Sequence, residues 1–498
     1  MSLLKSLIQL HFITPRGVWR LLRSFRCEGV TLMAIVRFAA CYYADRCALV
    51  CNDRRLTYKE LYEYSVKLSR VLALYYGVKS CCRVGIVARN DEVMAAALVA
   101  LSRLGADIRL VNTDLSAADI ASTISRSGVE TLIYDGETES HLDSAKMPCR
   151  CVALSELHDM AGREASDGPL PATVRGGTIS VFTGGTSGAY KEASRNSGVS
   201  QFLPPLFALI GMIGIDKCSS VLIALPLYHG FGLATFVISL AMGKKICMMK
   251  HFDAQTAVGI ICREGVEALP LVPAMLARIL QIEGADEKLA TLKCIISGGD
   301  RLDRKMIDAV HSRLGDILFN LYGTSEAGFF MLARPCDMNH CAEATIGRPI
   351  KGVACEVRDV DSDGVGVLWV KSRWAMLGRE NRWQSTGDLV SCDDEGRFYY
   401  RGRKDNMVVC GGENVYIEHV ESVIARHHGV ANCVVYPVQD EMFGNVLNAC
   451  IELRNEVAIT EEEMRQWLRE RLARAEMPHR MTFGEVSVTS TGKKARRF

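Results

Sequence analysis

The sequence predicts an α/β protein with a large N-terminal domain of parallel αβα sheets, a small barrel-like β subdomain, and a small α+β domain at the C-terminus. Three observations lead to this prediction. Short apolar strands alternate with helical patterns along most of the chain, and one β-branched strand runs directly into a glycine-rich loop. After Gly347 the pattern changes to short strands separated by Asp-Gly and Glu-Gly turns. Strand–helix alternation is typical of parallel sheets buried between helices.

The first 38 residues combine apolar and basic side chains. Lys5 and five arginines occur there against a single acid, Glu28, among leucines, Trp19 and Phe25. Two interpretations remain open. The segment rests on an anionic membrane surface as an amphipathic element, or it is a leading helix that packs on the first domain with its arginines in solvent.

The residue pattern at positions 84–111 predicts the first βαβ unit. Strands are expected at residues 84–88 and 108–111, around a helix at residues 93–104 that ends at Gly105. A further helix after Leu56 has its apolar residues at helical spacing. Because a βαβ unit joins parallel strands, we expect a mainly parallel, buried sheet.

Four more strands are expected at residues 220–224, 268–272, 294–297 and 318–321. Ligands of open parallel sheets bind where the strands end, so the loops after these strands should converge on one crevice. The uncharged stretch 221–243 contains Pro226, Gly230 and Gly232 in its middle, which favours a strand, a loop and a buried helix over a membrane span.

The glycine-rich loop predicts a triphosphate site. The strand at residues 178–182 leads into a loop whose glycines, among them Gly185 and Gly188, let backbone N–H groups turn toward an anion. Its hydroxyls and its cation add donors and positive charge; they belong to Thr183, Thr186, Ser187 and Lys191. An ordinary glycine-rich turn is the alternative. The loop is not a Walker loop, because no Gly-Lys-Ser/Thr follows the glycines.

Composition limits the partners and the compartment. Lys plus Arg number 59 against 57 Asp plus Glu, a formal charge of +2, which argues against general nucleic-acid binding. The 19 cysteines are scattered without a disulfide framework, and no secretory signal opens the sequence. We therefore expect reduced thiols and a cytoplasmic protein.

Several short motifs occur in a fixed order along almost the whole chain. After the glycine-rich loop come residues 320–326 (NLYGTSE), 383–389 (WQSTGDL), 402–405 (GRKD), 411–414 (GGEN) and 489–497 (TSTGKKARR). Together they resemble the core motifs of the adenylate-forming superfamily, which contains acyl-CoA synthetases, luciferases and peptide-synthetase adenylation domains. The resemblance implies that a carboxylate attacks the α-phosphate of ATP, releasing pyrophosphate and forming an acyl-adenylate, and that a thiol then displaces AMP. ATP, Mg²⁺ and CoA as co-substrate are implied with it.

The resemblance also implies roles for individual residues. Thr183, Thr186, Ser187 and Lys191 would hold the β- and γ-phosphates, and Glu326 would bind Mg²⁺, for which a hard carboxylate oxygen is suited. Lys493 resembles the lysine that joins the carboxylate to the phosphate. The remaining nucleotide-site residues would be Tyr322 on the adenine, Gly323 and Thr324 near the α-phosphate, Asp388 on the ribose hydroxyls, Arg403 on ribose or phosphate, and Gly299 and Asp300 beside the nucleotide and acyl path.

The second step requires a different arrangement from the first, because Lys493 must leave before a thiol enters. The resemblance supplies a mobile C-terminal domain that rotates at a hinge. We expect residues 1–401 to form the adenylation domain, 402–405 the hinge with Asp405 as its pivot, and 406–498 the mobile domain. Gly411 and Gly412 would then line a narrow path for the pantetheine of CoA.

The motifs depart from the family pattern at a few positions. Gly184 stands where a serine is usual, which removes one hydroxyl, and Tyr190 stands where a proline is usual, which removes stiffening before Lys191. Ile417 and Ser487 likewise replace usual prolines. We expect these changes to alter ATP affinity and loop rigidity more than the reaction itself.

The acyl pocket is expected beside residues 226–233, with His229 as a possible gate and an apolar wall formed by the residues that follow. An uncharged wall favours a fatty or aryl acid over an amino acid. We expect an acyl-CoA ligase of fatty acid metabolism, with a small-molecule carboxylic acid as its partner. An acyl-AMP or acyl-carrier-protein ligase and a catalytically silent acyl-binding protein remain alternatives. Peripheral membrane contact through the basic N-terminus remains open, and the oligomeric state is not predicted.

Overall fold

The computed structural model describes residues 3–139, 142, 147–163, 177–183, 191–196, 203–339, 341, 343–404, 407–410, 413–440, 444–454, 457–472 and 476–486. The helices are α1 Leu3–Gln9, α2 Pro15–Glu28, α3 Leu32–Tyr43, α4 Tyr58–Leu74, α5 Glu92–Leu104, α6 Ala117–Ser127, α7 Gly136–Glu139, α8 Leu154–Arg163, α9 Leu203–Ile213, α10 Gly230–Ala241, α11 Ala254–Glu264, α12 Pro273–Leu280, α13 Ala285–Lys288, α14 Arg304–Leu314, α15 Pro335–Asn339, α16 Ile417–Ala425 and α17 Glu461–Arg469.

The strands are β1 Cys47–Cys51, β2 Arg54–Thr57, β3 Arg83–Val87, β4 Asp107–Leu110, β5 Thr131–Tyr134, β6 Arg150–Ala153, β7 Thr178–Thr183, β8 Lys191–Asn196, β9 Ser220–Ile223, β10 Lys245–Met248, β11 Ala268–Leu271, β12 Cys294–Gly298, β13 Leu318–Thr324, β14 Gly328–Ala333, β15 Arg348–Pro349, β16 Ala354–Arg358, β17 Gly366–Lys371, β18 Trp383–Cys392, β19 Phe398–Arg403, β20 Met407–Cys410, β21 Glu413–Tyr416, β22 Val430–Asp440, β23 Gly444–Leu453 and β24 Arg480–Phe483.

Two mainly parallel sheets form the large N-terminal part. The nine-stranded sheet has the order β15-β14-β13-β12-β11-β9-β10-β1-β2, and the strands from β1 to β13 within that order run parallel. The six-stranded sheet has the order β6-β5-β3-β4-β7-β8, and its strands are parallel except for the β7–β8 hairpin. The predicted α/β class with parallel sheets is confirmed.

Helix α5 lies in the apolar layer between the two sheets. Every residue from Val93 to Leu104 is buried, and they share one apolar core with α3, α4, α10 and strands of both sheets. Helices α11 to α14 cover the other face of the nine-stranded sheet, and α6 covers that of the six-stranded sheet. A helix buried on all sides needs no polar face, which explains why its sequence is apolar at nearly every position.

The uncharged stretch at residues 221–243 forms β9, a loop and α10, as predicted. Within the described ranges, no helix combines the length and apolar character needed to cross a membrane.

Three helices, rather than a single leading helix, open the chain. Thr14 caps α2 by accepting a hydrogen bond from the backbone N–H of Gly17 at 3.1 Å, and Pro15 occupies the first helical position. A Cβ at Gly17 would lie 1.6 Å from the carbonyl oxygen of His11, so the turn between α1 and α2 requires glycine there. Helix α3 is buried along most of its length and joins α4 in the core.

The predicted small β unit is a four-stranded antiparallel sheet with the open order β16-β17-β18-β19. The Asp-Gly and Glu-Gly turns lie between β16 and β17 and between β18 and β19; Gly364 and Gly396 have φ values of 76° and 73°, which suit glycine. The sheet packs its apolar face against β14 and the Tyr322 end of β13.

The C-terminal part has its own apolar core. Strands β22, β23 and β24 form a sheet that packs against α16 and α17, and β20 pairs with β21 in a separate hairpin. The predicted boundary at residues 402–405 lies between the last residues of the preceding apolar core and the first residues of this one, although β19 continues to Arg403. The division into 1–401, 402–405 and 406–498 stays a prediction.

Candidate active site

One cavity of about 2070 Å³ lies where the parallel strands end. Its walls include the residues that follow β9, β11, β12 and β13, as expected for a crevice at the carboxyl ends of strands. Nine of the predicted site residues line it: His229, Gly299, Asp300, Tyr322, Gly323, Thr324, Glu326, Asp388 and Arg403. The structure thus brings together motifs that are far apart in sequence, while the role of each residue stays a prediction.

Tyr322, Asp388 and Arg403 form one hydrogen-bonded network in the wall of the cavity. The Tyr322 hydroxyl donates to Oδ2 of Asp388, and Nη1 of Arg403 donates to Oδ1 of Asp388 at 2.9 Å. Arg403 Nη1 also donates to the carbonyl oxygen of Thr386 at 2.9 Å. The carboxylate is therefore held at a fixed position, with an aromatic ring on one side and a cation on the other.

Local backbone structure explains how Asp388 reaches this position. Gly387 has a φ of 73°, a conformation that glycine adopts without strain, and the β17–β18 ladder shifts its register nearby, between Val367 and Trp369. Asp388 N then donates to the Thr386 hydroxyl at 3.1 Å. The Thr-Gly-Asp sequence is a bend that turns one carboxylate into the cavity.

Burial raises the pKa of two groups in this network. Burial raises the pKa of Asp388 above its usual value of 3.8, and the Tyr322 hydrogen bond and the Arg403 charge offset this only in part. Burial and the neighbouring Asp388 also raise the pKa of Tyr322 well above its usual value, so the phenol remains a donor. A carboxylate that is costly to ionise gains most from further donors such as sugar hydroxyls.

Glycines allow close backbone packing at two strand ends that line the cavity. A Cβ at Gly323 would lie 2.4 Å from the carbonyl oxygen of Gly328, and one at Gly298 would lie 2.7 Å from that of Leu321. Gly299 has a φ of 82°. Asp300 is exposed, and its carboxylate accepts a hydrogen bond from Arg301 N at 2.7 Å. This contact is a local turn, so it adds nothing to the predicted role of Asp300.

Glu326 follows β13 and is half-buried at the cavity wall. Among the described residues its carboxylate makes no hydrogen bond or ion pair of its own, whereas its backbone oxygen accepts from Met376 N at 2.7 Å. A carboxylate that faces a cavity and is fixed only through its backbone fits an Mg²⁺ ligand, because oxygen is the ligand that this ion prefers. The neighbouring Thr324 hydroxyl accepts from Ala327 N at 3.1 Å and shapes the turn.

Arg195 is a cavity residue that the sequence interpretation missed. It lies on β8, and its Nη2 donates to the carbonyl oxygen of Ser325 at 2.6 Å. Burial lowers the pKa of its guanidinium, and the negative charge of Glu326 acts in the opposite direction. Alternation along the strand is a signal that could have identified it, because Ala193 and Arg195 share one face of β8.

Helices α9 and α10 form the side of the cavity where the acyl group is predicted to bind. His229 precedes α10, and its ring contacts the ring of Tyr228 edge-on, with centroids 4.7 Å apart. The described lining residues on these two helices carry no charge; they are Leu209, Gly230, Phe231, Leu233, Ala234, Thr235, Ile238 and Ser239. Apolar residues also come from the opposite wall, namely Phe329, Trp374 and Met376.

Several predicted residues lie outside the described part of the chain: Gly185, Thr186, Ser187, Gly188, Asp405, Gly411, Gly412 and Lys493. For Thr183 and Lys191 the description is limited to the backbone, where they are partners at the end of the β7–β8 hairpin. A strand therefore follows the glycine-rich loop, which agrees with the prediction that this is not a Walker loop.

Contacts from the large part of the molecule reach helix α16. Arg301 Nη1 donates to the carbonyl oxygen of Glu418 and Nη2 to the hydroxyl of Ser422, both at 3.0 Å. Lys305 Nζ donates to the carbonyl oxygens of Ala425 and His427 at 2.6 and 3.2 Å. A cation at the carboxyl end of a helix complements its unpaired carbonyls. The sequence interpretation did not identify these two residues.

The model of the AMP-binding enzyme family matches residues 36–378, which is more than half of the chain, and that of the AMP-binding enzyme C-terminal domain matches residues 419–493. The chain belongs to the AMP-binding enzyme family. The predicted membership of the adenylate-forming superfamily is confirmed, as is the class of AMP-forming acid–CoA ligase. An AMP-binding enzyme of this class uses ATP to form an acyl-adenylate and then transfers the acyl group to CoA.

Individual relatives agree with this assignment. This AMP-binding enzyme is 27% identical over 456 residues to the 2-succinylbenzoate–CoA ligase of Bacillus velezensis. The aligned region covers 87% of this chain and 90% of that protein. Its fold is similar to ATP-bound MatB from Rhodopseudomonas palustris, with a TM-score of 0.82 at 20% identity over 93% of this chain and 97% of that one. It is also similar to o-succinylbenzoate CoA synthetase from Bacillus subtilis bound to its acyl-adenylate, with a TM-score of 0.80 at 24% identity over 92% and 96% of the two chains.

Proposed function

We propose that this AMP-binding enzyme activates a carboxylic acid with a long apolar body, a fatty acid, and transfers it to CoA. The observation that supports this substrate is the uncharged wall that α9 and α10 contribute to the cavity. A wall without a fixed charge offers no partner for the ammonium group of an amino acid, and burial of an alkyl chain against it is favourable.

The residues of the nucleotide side have the following proposed roles. Asp388 accepts hydrogen bonds from the ribose hydroxyls, Tyr322 packs on the adenine, and Arg403 orients Asp388. Thr183, Lys191 and the loop between them hold the β- and γ-phosphates, with Thr324 beside the α-phosphate. Glu326 holds Mg²⁺, which when bound neutralises phosphate charge that would repel the attacking carboxylate.

The remaining proposed residues act in sequence. Lys493 brings the carboxylate to the α-phosphate in the first step and compensates the charge of the transition state. Movement at Asp405 then replaces it by the path along Gly411 and Gly412, through which the thiol of CoA enters. His229 lies beside the acyl side of the cavity and is proposed to gate it.

A chain-length series tests the substrate. Fatty acids of increasing length are supplied with ATP and CoA, and acyl-CoA is measured by mass spectrometry together with pyrophosphate release. Because each buried methylene contributes about 0.8 kcal/mol, kcat/KM should rise roughly fourfold per methylene until the pocket is full. Pyrophosphate release without thioester would instead favour a different acceptor such as a carrier protein, and no pyrophosphate with any acid would favour a silent acyl-binding protein.

An aromatic acid with a second carboxylate is the second candidate, and Arg195 is the observation that favours it. Its half-buried guanidinium lines the same cavity, and 2-succinylbenzoate, named for the relative from Bacillus velezensis, has two carboxylates. Arg195→Met keeps the length of the side chain but removes the charge. If Arg195 holds the second carboxylate, this variant loses activity with 2-succinylbenzoate and not with a fatty acid. A higher KM for ATP with both acids would place Arg195 on the phosphates.

A further inference from the structure

An exposed apolar surface lies on helix α2 and the turn before it, ahead of the residues that match the AMP-binding enzyme family. We call it the N-terminal face and define it by the apolar residues Ile13, Val18, Trp19 and Leu22 and the basic residues Arg16 and Arg23. Trp19 and Leu22 are 59% and 61% exposed, and Ile13 and Val18 are each 41% exposed. Large apolar side chains exposed side by side on one helix mark a contact surface more often than isolated ones do.

The opposite side of α2 is fixed to the body of the protein. Arg20 Nη1 donates to the carbonyl oxygen of Cys41 at 2.7 Å, and its guanidinium lies 4.5 Å from the centroid of the Tyr42 ring. In the preceding turn, Phe12 stacks on Phe38 with ring centroids 5.6 Å apart. The helix therefore presents Trp19 and Leu22 outward because its other side is already packed.

The exposed charges that helices α1 to α3 contribute near the N-terminal face are positive. The single acid of the first 43 residues, Glu28, is 1% exposed and accepts hydrogen bonds from Arg103 at 2.7 Å and Arg37 at 2.8 Å. Arg16, Arg23 and Arg26 are exposed, and the Arg23 guanidinium lies 5.3 Å from the Trp19 ring centroid. An apolar face bordered by arginines and without an acid complements an anionic surface that also has an apolar interior.

This combination distinguishes between possible occupants. A second copy bound by two-fold symmetry would place arginines opposite arginines, which repel each other. A 14-residue helix such as α2 is about 21 Å long, so it is too short to cross the roughly 30 Å hydrocarbon core of a bilayer. An amphipathic helix with Trp and Leu on one side and arginines beside them is suited to lie in the headgroup region of an anionic bilayer.

We propose that the N-terminal face binds the surface of an anionic lipid bilayer, with Trp19 and Leu22 inserted among the headgroups and Arg16 and Arg23 on lipid phosphates. The N-terminal face is connected to the cavity through α1 and α9, so binding of the bilayer there would place the cavity near the membrane. Helix α1 packs against α9, and the Ser6 hydroxyl donates to Asp216, just beyond the end of α9, at 2.8 Å. Leu209 of α9 lines the cavity. If the substrate is the fatty acid proposed above, the same bilayer holds its supply.

Sedimentation of the full chain with vesicles tests the proposal. Vesicles of phosphatidylglycerol mixed with phosphatidylcholine are compared with vesicles of phosphatidylcholine alone, without acid, ATP or CoA, so the result is independent of the substrate. We expect binding to the anionic vesicles only, and loss of binding as added salt shortens the Debye length from about 10 Å at 0.1 M to about 3 Å at 1 M.

Variants separate the apolar and the electrostatic contributions to vesicle binding. The double variant Trp19→Ala, Leu22→Ala should lower the partition coefficient by roughly tenfold or more, since burial of a large apolar side chain is worth about that factor. The double variant Arg16→Gln, Arg23→Gln should lower it about fivefold per arginine. The matched control combines Phe483→Ala and Arg480→Gln on β24, an exposed apolar and basic pair in the C-terminal part, and should bind like the parent.

Four results would overturn the proposal. They are absence of binding to anionic vesicles at low salt, parental binding by the Trp19 and Leu22 variant, equal loss in the β24 control, and a dimer in solution that the Trp19 and Leu22 variant abolishes. The last result would assign the face to a second copy. Circular dichroism and CoA ligation with a soluble acid, both unchanged in the variants, show that lost binding does not reflect unfolding.

Discussion

Replacement of Asp388 by Asn tests the proposed ribose contact directly. The two oxygens of Asp388 accept from Tyr322 and Arg403, and the residue is 6% exposed. Asn keeps the shape of the side chain but replaces one acceptor oxygen by an NH₂ donor, which then faces either the phenol or the guanidinium. The variant therefore loses at least one acceptor for the two ribose hydroxyls.

The size of the effect follows from the contact that is lost. A hydrogen bond to a charged group is worth about 1.5–3 kcal/mol, which corresponds to roughly a 10- to 150-fold higher KM for ATP. The side chain of Arg403 is 36% exposed, so solvent screens its charge and the lower part of that range is expected. KM is measured by ATP–pyrophosphate exchange at saturating acid, and kcat should change little because ribose contacts are similar in substrate and transition state.

Asp393→Asn is the matched control. Asp393 lies just beyond β18, and its Oδ2 also accepts from an arginine and a tyrosine, from Arg397 Nε at 2.7 Å and the Tyr399 hydroxyl at 2.9 Å. It is not among the residues that line the cavity. Asp393→Asn should leave KM for ATP unchanged. An unchanged KM in Asp388→Asn, or equal increases in both variants, would refute the ribose assignment.

The two aspartates also differ in their expected response to pH. Burial raises the pKa of Asp388 above 3.8. For Asp393, burial raises the pKa, but hydrogen bonds from Arg397 and Tyr399 outweigh it and lower the pKa to about 2. Because the ribose needs an ionised acceptor, ATP affinity should fall with decreasing pH already above pH 3.8. This decrease should be absent in Asp388→Asn and retained in Asp393→Asn.

Three further predictions concern the two reaction steps. Glu326→Gln should reduce pyrophosphate release by orders of magnitude while fatty-acid binding, measured by calorimetry, stays intact; unchanged turnover would remove Glu326 from the metal site. Lys493→Ala should lose adenylate formation but convert supplied acyl-adenylate to acyl-CoA, whereas Gly412→Leu should do the reverse; equal damage to both steps would contradict a rotating domain. Arg301→Ala removes two hydrogen bonds to α16 and should change the ratio of the half-reaction rates, with an unchanged ratio counting against this contact.

The parallel sheets could be predicted because their signals are local. The strand expected at residues 84–88 is β3 at Arg83–Val87, and the helix expected at 93–104 is α5 at Glu92–Leu104. Continuous apolar runs mark strands and helices that are buried on both sides. Helix α5 begins at Glu92 because the Asp91 side chain accepts from Met94 N at 2.7 Å, a cap that apolar periodicity does not show.

Contacts between distant parts of the chain could not be predicted in the same way. The Tyr322 hydroxyl and Asp388 are 66 positions apart, and they meet because β13 and β18 belong to different sheets that pack together. The resemblance of the motifs predicted that both residues belong to one site, but it did not predict the hydrogen bond between them. Arg195 carries no motif, and its place in the cavity follows from the β7–β8 hairpin, whose register puts Arg195 opposite Ile179.

The network around Asp388 limits where a domain rotation can begin. Arg403 belongs to the predicted hinge at 402–405, yet it pairs with Asp388 both in the β18–β19 ladder and through its guanidinium. Moving Arg403 would break its ion pair with Asp388 in the proposed nucleotide site. The hydrogen bonds of Arg301 to α16 join its guanidinium to a carbonyl oxygen and a hydroxyl, so breaking them separates no pair of opposite charges. If the C-terminal part rotates as proposed, a rotation that keeps the contact between Arg403 and Asp388 pivots after Arg403, at Lys404 or Asp405, and releases α16 from Arg301.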